Sequence, residues 1–140
     1  MMRADIVNSI KGLLEATGVF SSVCGIGSEK PGYPLVRVWA NGCPQTNIEN
    51  SPRAMIDLRV AVQIETHPVL DSNGNSDEAG LYDLVDSAFK ALHNMKLPGK
   101  GSLPLIVFDH PGLSTYEQSK PLVYLIQVSV RVVPEAFSTI

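Results

Sequence analysis

The stretch that decides the fold runs from Ala54 to Ile64 and reads AMIDLRVAVQI. Apolar and polar side chains alternate along it, so each kind occupies its own face. The apolar face carries Ala54, Ile56, Leu58, Val60, Val62 and Ile64, and the polar face carries Asp57, Arg59 and Gln63, followed by Glu65 just after the stretch. A period of two over this length is typical of a long β-strand with one buried face. We predict this strand from Arg53 to Thr66.

Four other segments predict the partner strands. Leu35 to Asn41 (LVRVWAN) and Pro121 to Val133 (PLVYLIQVSVRVV) repeat the alternation. Val19 to Ile26 predicts a short first strand, and Leu105 to Asp109 predicts another that ends before Pro111-Gly112. Strands with one wet face favour a mostly antiparallel sheet.

Two segments repeat apolar residues at helical spacing. The first runs from about Arg3 to Thr17, and Gly18 follows it as a residue suited to a left-handed helix stop. The second has an apolar stripe from Leu81 to Met95, and Pro98-Gly99 ends it. The order α-β-β-β-α-β-β predicts an α+β fold in one domain, residues 1–140. Its sheet has four to five strands, with both helices on the apolar face.

The composition excludes several classes of protein. The chain has 140 residues, 44% of them apolar, which is enough for one hydrophobic core. Its net charge of -3 disfavours direct nucleic-acid binding. No apolar run of about 18 residues could span a bilayer, and polar residues interrupt the N-terminal segment where a secretory signal would be apolar. We expect no membrane partner and a cytosolic chain in which Cys24 and Cys43 are reduced.

No motif predicts a cofactor, and one segment only partly matches a metal site. Asp71, Asn73 and Asn75 match the first ligand positions of a calcium loop. The loop lacks its glycine at Ser76 and its closing Glu at Tyr82, so we interpret it as the cap of the second helix.

The cysteines and histidines predict neither a zinc site nor a nucleophile, because no two have the spacing of a metal-binding pair. They are Cys24, Cys43, His67, His93 and His110. Asp109 and His110 are neighbours, but adjacent strand residues point to opposite faces. A small enzyme that uses Cys24, Cys43 or this pair is the least favoured alternative.

The polar faces of the strands form the candidate site. They meet on the side of the predicted sheet away from the helices, where they either face solvent or line something. The residues are Arg37, Asp57, Arg59, Gln63, Gln127 and Arg131. Arg59→Glu should hardly affect folding, because a solvated strand position tolerates substitution within about 0.5 kcal/mol.

The arrangement resembles that of the phage tail-terminator family, small proteins of long-tailed phages, from Ala4 to about Val133. The resemblance is carried by GVFSSV at 18–23, AMIDLRVAVQI at 54–64, EAGLYDLVDSAF at 78–89 and PLVYLIQVSVRV at 121–132. It implies a structural protein rather than an enzyme: a ring, usually described as six subunits, that caps the tail tube and presents a surface to the head.

The implied partners are other copies of the chain, the tail tube protein and a head-completion or neck protein, with DNA only passing through the lumen. The implied location is the virion tail, assembled in the cytoplasm of the host bacterium. A neck or head-closure protein of the same assembly module is the first alternative. We expect a monomer in dilute solution that closes into a ring when concentrated or on tail tubes.

Two strands and two loops are candidates for contacts between subunits. Val19 to Ile26 and Leu105 to Asp109 are the expected sheet edges, which can pair with neighbours unless something covers them. The loops from Gly42 to Pro52 and from His67 to Asn75 are long enough to reach an adjacent subunit or the tube.

Overall fold

Two helices and six strands make up the part of the chain that the computed structural model describes, which is residues 2–27, 32–42, 46–47, 55–67, 78–97, 104–114 and 121–132. The elements are α1 (Met2–Glu15), β1 (Ser22–Cys24), β2 (Leu35–Ala40), β3 (Thr46–Asn47), β4 (Met55–Thr66), α2 (Glu78–Leu92), β5 (Ile106–Leu113) and β6 (Leu122–Val132). The predicted α+β class is confirmed.

The strands form one mixed, mostly antiparallel sheet with β4 at its centre. The order is β1-β2-β4-β6-β5, and the two-residue β3 pairs with the start of β4. β4 is antiparallel to both β2 and β6 and pairs with the whole length of β6. β1 runs parallel to β2, the one parallel pairing among the strands described. The long alternating stretch is therefore the strand on which the rest of the sheet is assembled.

The core lies between the helices and the apolar face of the central strands, and both helices pack on that one face as predicted. Leu58, Val60, Val62 and Ile64 of β4 are fully buried. The helices bury Ile6, Ile10, Leu14, Leu81, Val85, Ala88 and Leu92 in the same cluster. Each large apolar side chain buried in this way stabilises the fold by about 1.5–3 kcal/mol.

Both helices end earlier than the sequence predicts. α1 ends at Glu15, and Gly18 adopts the expected left-handed conformation with φ of 72°. α2 ends at Leu92 because Asn94, with φ of 66°, already supplies the left-handed residue. Met95 is 41% exposed, so its assignment to the core stripe was wrong. Pro98-Gly99 lies outside the described residues, and neither described helix is long and apolar enough to cross a membrane.

Two strands differ from their predicted lengths. β1 is reduced to Ser22–Cys24, whereas β5 continues through Pro111 to Leu113. The register against β6 shifts between Asp109 and Gly112, so a β-bulge absorbs the proline without ending the strand. An edge strand tolerates proline because the missing N–H removes no bond of a central ladder. The predicted interruption is therefore present as a break in the pairing with β6, but the strand does not end there.

β1 and β5 are the edges of the main strand order, as predicted, but the turn after α2 covers half of the β5 edge. The backbone of Leu105 donates to the Met95 carbonyl over 2.8 Å and accepts from the Asn94 N–H over 2.9 Å. The Val107 N–H donates to Nδ1 of His93 over 3.2 Å. These bonds occupy backbone groups that would otherwise attract a further strand.

Candidate functional site

The six predicted site residues lie on the sheet face opposite the helices, which we call the outer face. They alternate along the strands with the buried residues of the core. The register places Asp57 beside Arg131, Arg37 beside Gln63, and Gln127 beside Ala61. Arg59 lies opposite Ser129, a residue that the sequence analysis did not single out.

Asp57 is the centre of a charged network at one end of the outer face. Arg59 donates from Nε to Oδ1 of Asp57 over 3.1 Å and from Nη2 to Oδ2 over 2.8 Å. The Ser129 hydroxyl donates to Oδ1 over 2.6 Å. The guanidinium carbon of Arg59 lies 5.2 Å from the centre of the Phe108 ring, within cation–π range. The paired geometry and the ring together fix the Arg59 side chain.

Opposing influences act on the Asp57 carboxyl. Burial raises its pKa, but the hydrogen bonds from Arg59 and Ser129 and the positive charges of Arg59 and Arg131 outweigh burial and hold the pKa below its ordinary value. The hydrogen bonds with Asp57 raise the pKa of Arg59 in turn. Both members of the pair are therefore charged at neutral pH.

Asp57→Asn should lower the free energy of unfolding at neutral pH by about 1–2 kcal/mol, because Arg59 and Ser129 lose a charged acceptor while they stay partly buried. The folded pKa of Asp57 lies below its unfolded value, so its contribution is present above the unfolded pKa and is lost as pH falls through the folded pKa. Urea unfolding should show a difference from wild type that shrinks in acid. Asp83→Asn, at an exposed position of α2, is the matched control and should change little. An equal loss at both pH values would contradict the ionic origin of the effect.

A second ion pair lies at the other end of the outer face. Arg37 Nε is 2.8 Å from Oε2 of Glu65, and the two side chains are 21% and 12% exposed. Arg37 Nη1 also lies 4.0 Å from the sulfur of Cys24, which is 3.7 Å from the carbonyl oxygen of Val36. The thiol of Cys24 is thus buried against the Arg37 guanidinium and the Val36 carbonyl. Cys43 lies outside the described residues.

The middle of the outer face is buried, so of the two alternatives for this face the solvated one does not hold there. Gln127 and Ser129 are 7% and 5% exposed, and Ala61 is 1% exposed. Oε1 of Gln127 and Nε of Arg131 are buried without a hydrogen-bond partner in the described structure. Because buried polar atoms are generally paired with protein or ordered water, an ordered water is the expected partner of each.

The other chemically active side chains are held in separate contacts. Burial and a hydrogen bond with Asp109 raise the pKa of Tyr124 to about 12. The His110 ring lies 6.3 Å from that of Phe108, and the His67 ring lies 4.1 Å from that of Tyr33 at an interplanar angle of 56°. No group of three or more His, Cys, Asp or Glu residues is arranged for a metal within the described ranges. The segment proposed as a helix cap, from Asp71 to Ser76, lies outside them.

Comparison with known proteins identifies a shared fold. No family model matches the chain, and no curated protein matches it either. Among solved structures, it is similar to a chain of "Virion of native gene transfer agent (GTA) particle", with a TM-score of 0.52 and 13% sequence identity. The match covers 86% of this chain and 84% of the other. A likeness at this level of identity concerns the fold alone.

Proposed function

We propose that this chain is a structural virion protein of the tail-terminator type, which closes the end of a tail tube as a ring. The observation that carries the proposal is the fold, which is shared over 86% of the chain with a protein from a virion particle. The segments that resemble tail terminators support the finer role, because they include all of β6 and most of α2 and β4.

The outer face suits a surface that DNA passes without being held. Arg59 is paired with Asp57, and Arg37 with Glu65, so most of the positive charge is neutralised locally. Unpaired cations would hold DNA through its phosphates. We therefore propose that the outer face, with Arg37, Asp57, Arg59, Gln63, Gln127 and Arg131, is turned toward the lumen of the ring.

We propose a structural rather than a catalytic role. The candidate catalytic residues Cys24, Asp109 and His110 are engaged in three different contacts. A nucleophilic centre needs a base within hydrogen-bond reach of the nucleophile and a third group that orients the base.

Electron microscopy of tails made without this chain tests the tail-terminator role. Tube lengths should become heterogeneous and joined particles should be lost, and purified chain added back should decorate one end of each tube. Native mass spectrometry over a concentration series should show a monomer that gives way to a ring. A chain that never decorates a tube end would contradict the role, and binding to a portal instead would assign it to the neck.

A further inference from the structure

An apolar groove with a cationic rim lies between α1 and the sheet edge at β1 and β2. Its volume is about 460 Å³. Arg3, Val7 and Lys11 line it from α1, where the four-residue spacing places them along one side of the helix. Ala40 and Ile26 line it from the other side, and Ile26 is 67% exposed. We call these five residues the basic groove.

An acidic patch with exposed apolar side chains lies where α2 meets β5. Tyr82 and Leu113 are 41% and 43% exposed, and Asp86 and Asp109 are exposed as well. Leu113 is the partner of Tyr124 across the β5–β6 ladder, and Asp109 is hydrogen-bonded to Tyr124. Tyr82 and Asp86 lie one turn apart on α2, and both contribute to the raised pKa of Tyr124. The four residues Tyr82, Asp86, Asp109 and Leu113 therefore lie around one tyrosine, and we call them the acidic patch.

The two surfaces lie on the helix side of the sheet but at its opposite ends. The groove is at β1 and β2, and the patch is at β5, on the far side of β4 and β6. Three to four strand spacings separate them, which is roughly 14 to 19 Å. The two surfaces of one copy therefore cannot meet each other, whereas those of two copies can.

We infer that the acidic patch of one copy docks in the basic groove of the next. The inference deepens the proposed ring and rests on it. Arg3 and Lys11 supply two cations for the two carboxylates, and Val7 and Ile26 supply apolar surface for Tyr82 and Leu113. A contact between two different surfaces repeats from copy to copy and closes into a ring when the rotation allows.

The β5 edge favours side-chain docking over the addition of a strand. The turn after α2 already occupies the outward backbone groups of Leu105 and the Val107 N–H, and Pro111 has no N–H to donate. The side chains of the acidic patch stay exposed at the same edge, so a neighbouring copy meets them rather than an open ladder.

Charge reversal on each side tests the contact in the full chain. Lys11→Glu and Asp86→Lys should each raise the concentration at which rings form, measured by native mass spectrometry, by about tenfold or more. An equal mixture of the two variants should recover assembly, because alternating copies form one wild-type contact and one contact with exchanged charges. Lys96→Glu, an exposed position outside both surfaces, is the control and should assemble like wild type. Thermal melting should confirm that all three variants fold.

Cross-linking with a carbodiimide in a mixture of isotopically labelled and unlabelled chain identifies the contact directly. Lys11 should be linked to Asp86 or Asp109 between copies, and links confined to other residues would overturn the inference.

Adding tail tubes to the assembly experiment distinguishes a failure of the subunit contact from a failure of the tail role. Wild-type rings that cap tubes while both variants assemble equally well would overturn the contact and leave the tail role intact. Rings that depend on the contact but never bind tubes would overturn the tail role and leave the contact intact. A wild-type chain that is monomeric in solution and absent from tubes would overturn both.

Discussion

Leu58→Ala is expected to lower the free energy of unfolding by about 2–5 kcal/mol. Leu58 is completely buried in the central strand and lies opposite Val130 of β6, so the removed atoms leave a cavity lined from several elements. Urea unfolding at neutral pH measures the loss. Ile106→Ala, on the edge strand β5 with 39% of the residue exposed, is the matched control and should lose less than about 1 kcal/mol. Equal losses would mean that β4 is not the centre of the core.

Arg59→Glu, at the adjacent residue on the other face, should lower the free energy of unfolding by about 2–3 kcal/mol. Removing one partner of a fully buried ion pair costs about 3–5 kcal/mol, and the side chains of Arg59 and Asp57 are 30% and 25% exposed, which reduces the effect. The substitution also places two carboxylates side by side and removes the cation from the Phe108 ring. The tolerance of about 0.5 kcal/mol expected for a solvated strand position does not apply.

Two variants separate charge from packing at this position. Arg59→Met keeps an apolar stem near Phe108 and should lose less stability than Arg59→Glu. Exchanging the charges with Asp57→Arg and Arg59→Asp should recover part of the loss, because an oppositely charged pair is restored on the same face. If the Arg59→Glu variant were as stable in urea as the wild-type protein, that result would contradict the network seen around Asp57.

The features of the helices and strands that the sequence predicted correctly are those that follow from local periodicity. The alternation in β4 and β6 identified both strands and their two faces, because successive side chains of a strand point in opposite directions whatever lies beside it. The same argument applies to Gly18, whose φ of 72° is a local requirement of the chain that follows α1.

The errors lie where a neighbouring element decides the outcome. The sequence placed the end of α2 near Pro98-Gly99, but Asn94 adopts a left-handed conformation and its N–H binds the Leu105 carbonyl. Pro111-Gly112 looked like the end of a strand, but pairing with β6 resumes at Gly112 after the bulge. Both outcomes depend on contacts that are distant in sequence.

The candidate site divides in the same way. The sequence alone determined which polar residues share the outer face, because that follows from the period of two. Only the tertiary structure decided which of them meet: β6 lies beside β4 and brings Ser129 to Asp57, residues 72 positions apart. It also decided that Gln127 is buried, and that the basic groove and the acidic patch lie at opposite ends of the sheet. Strand order depends on long-range packing of the whole chain, and a local pattern contains no information about which strands will be neighbours.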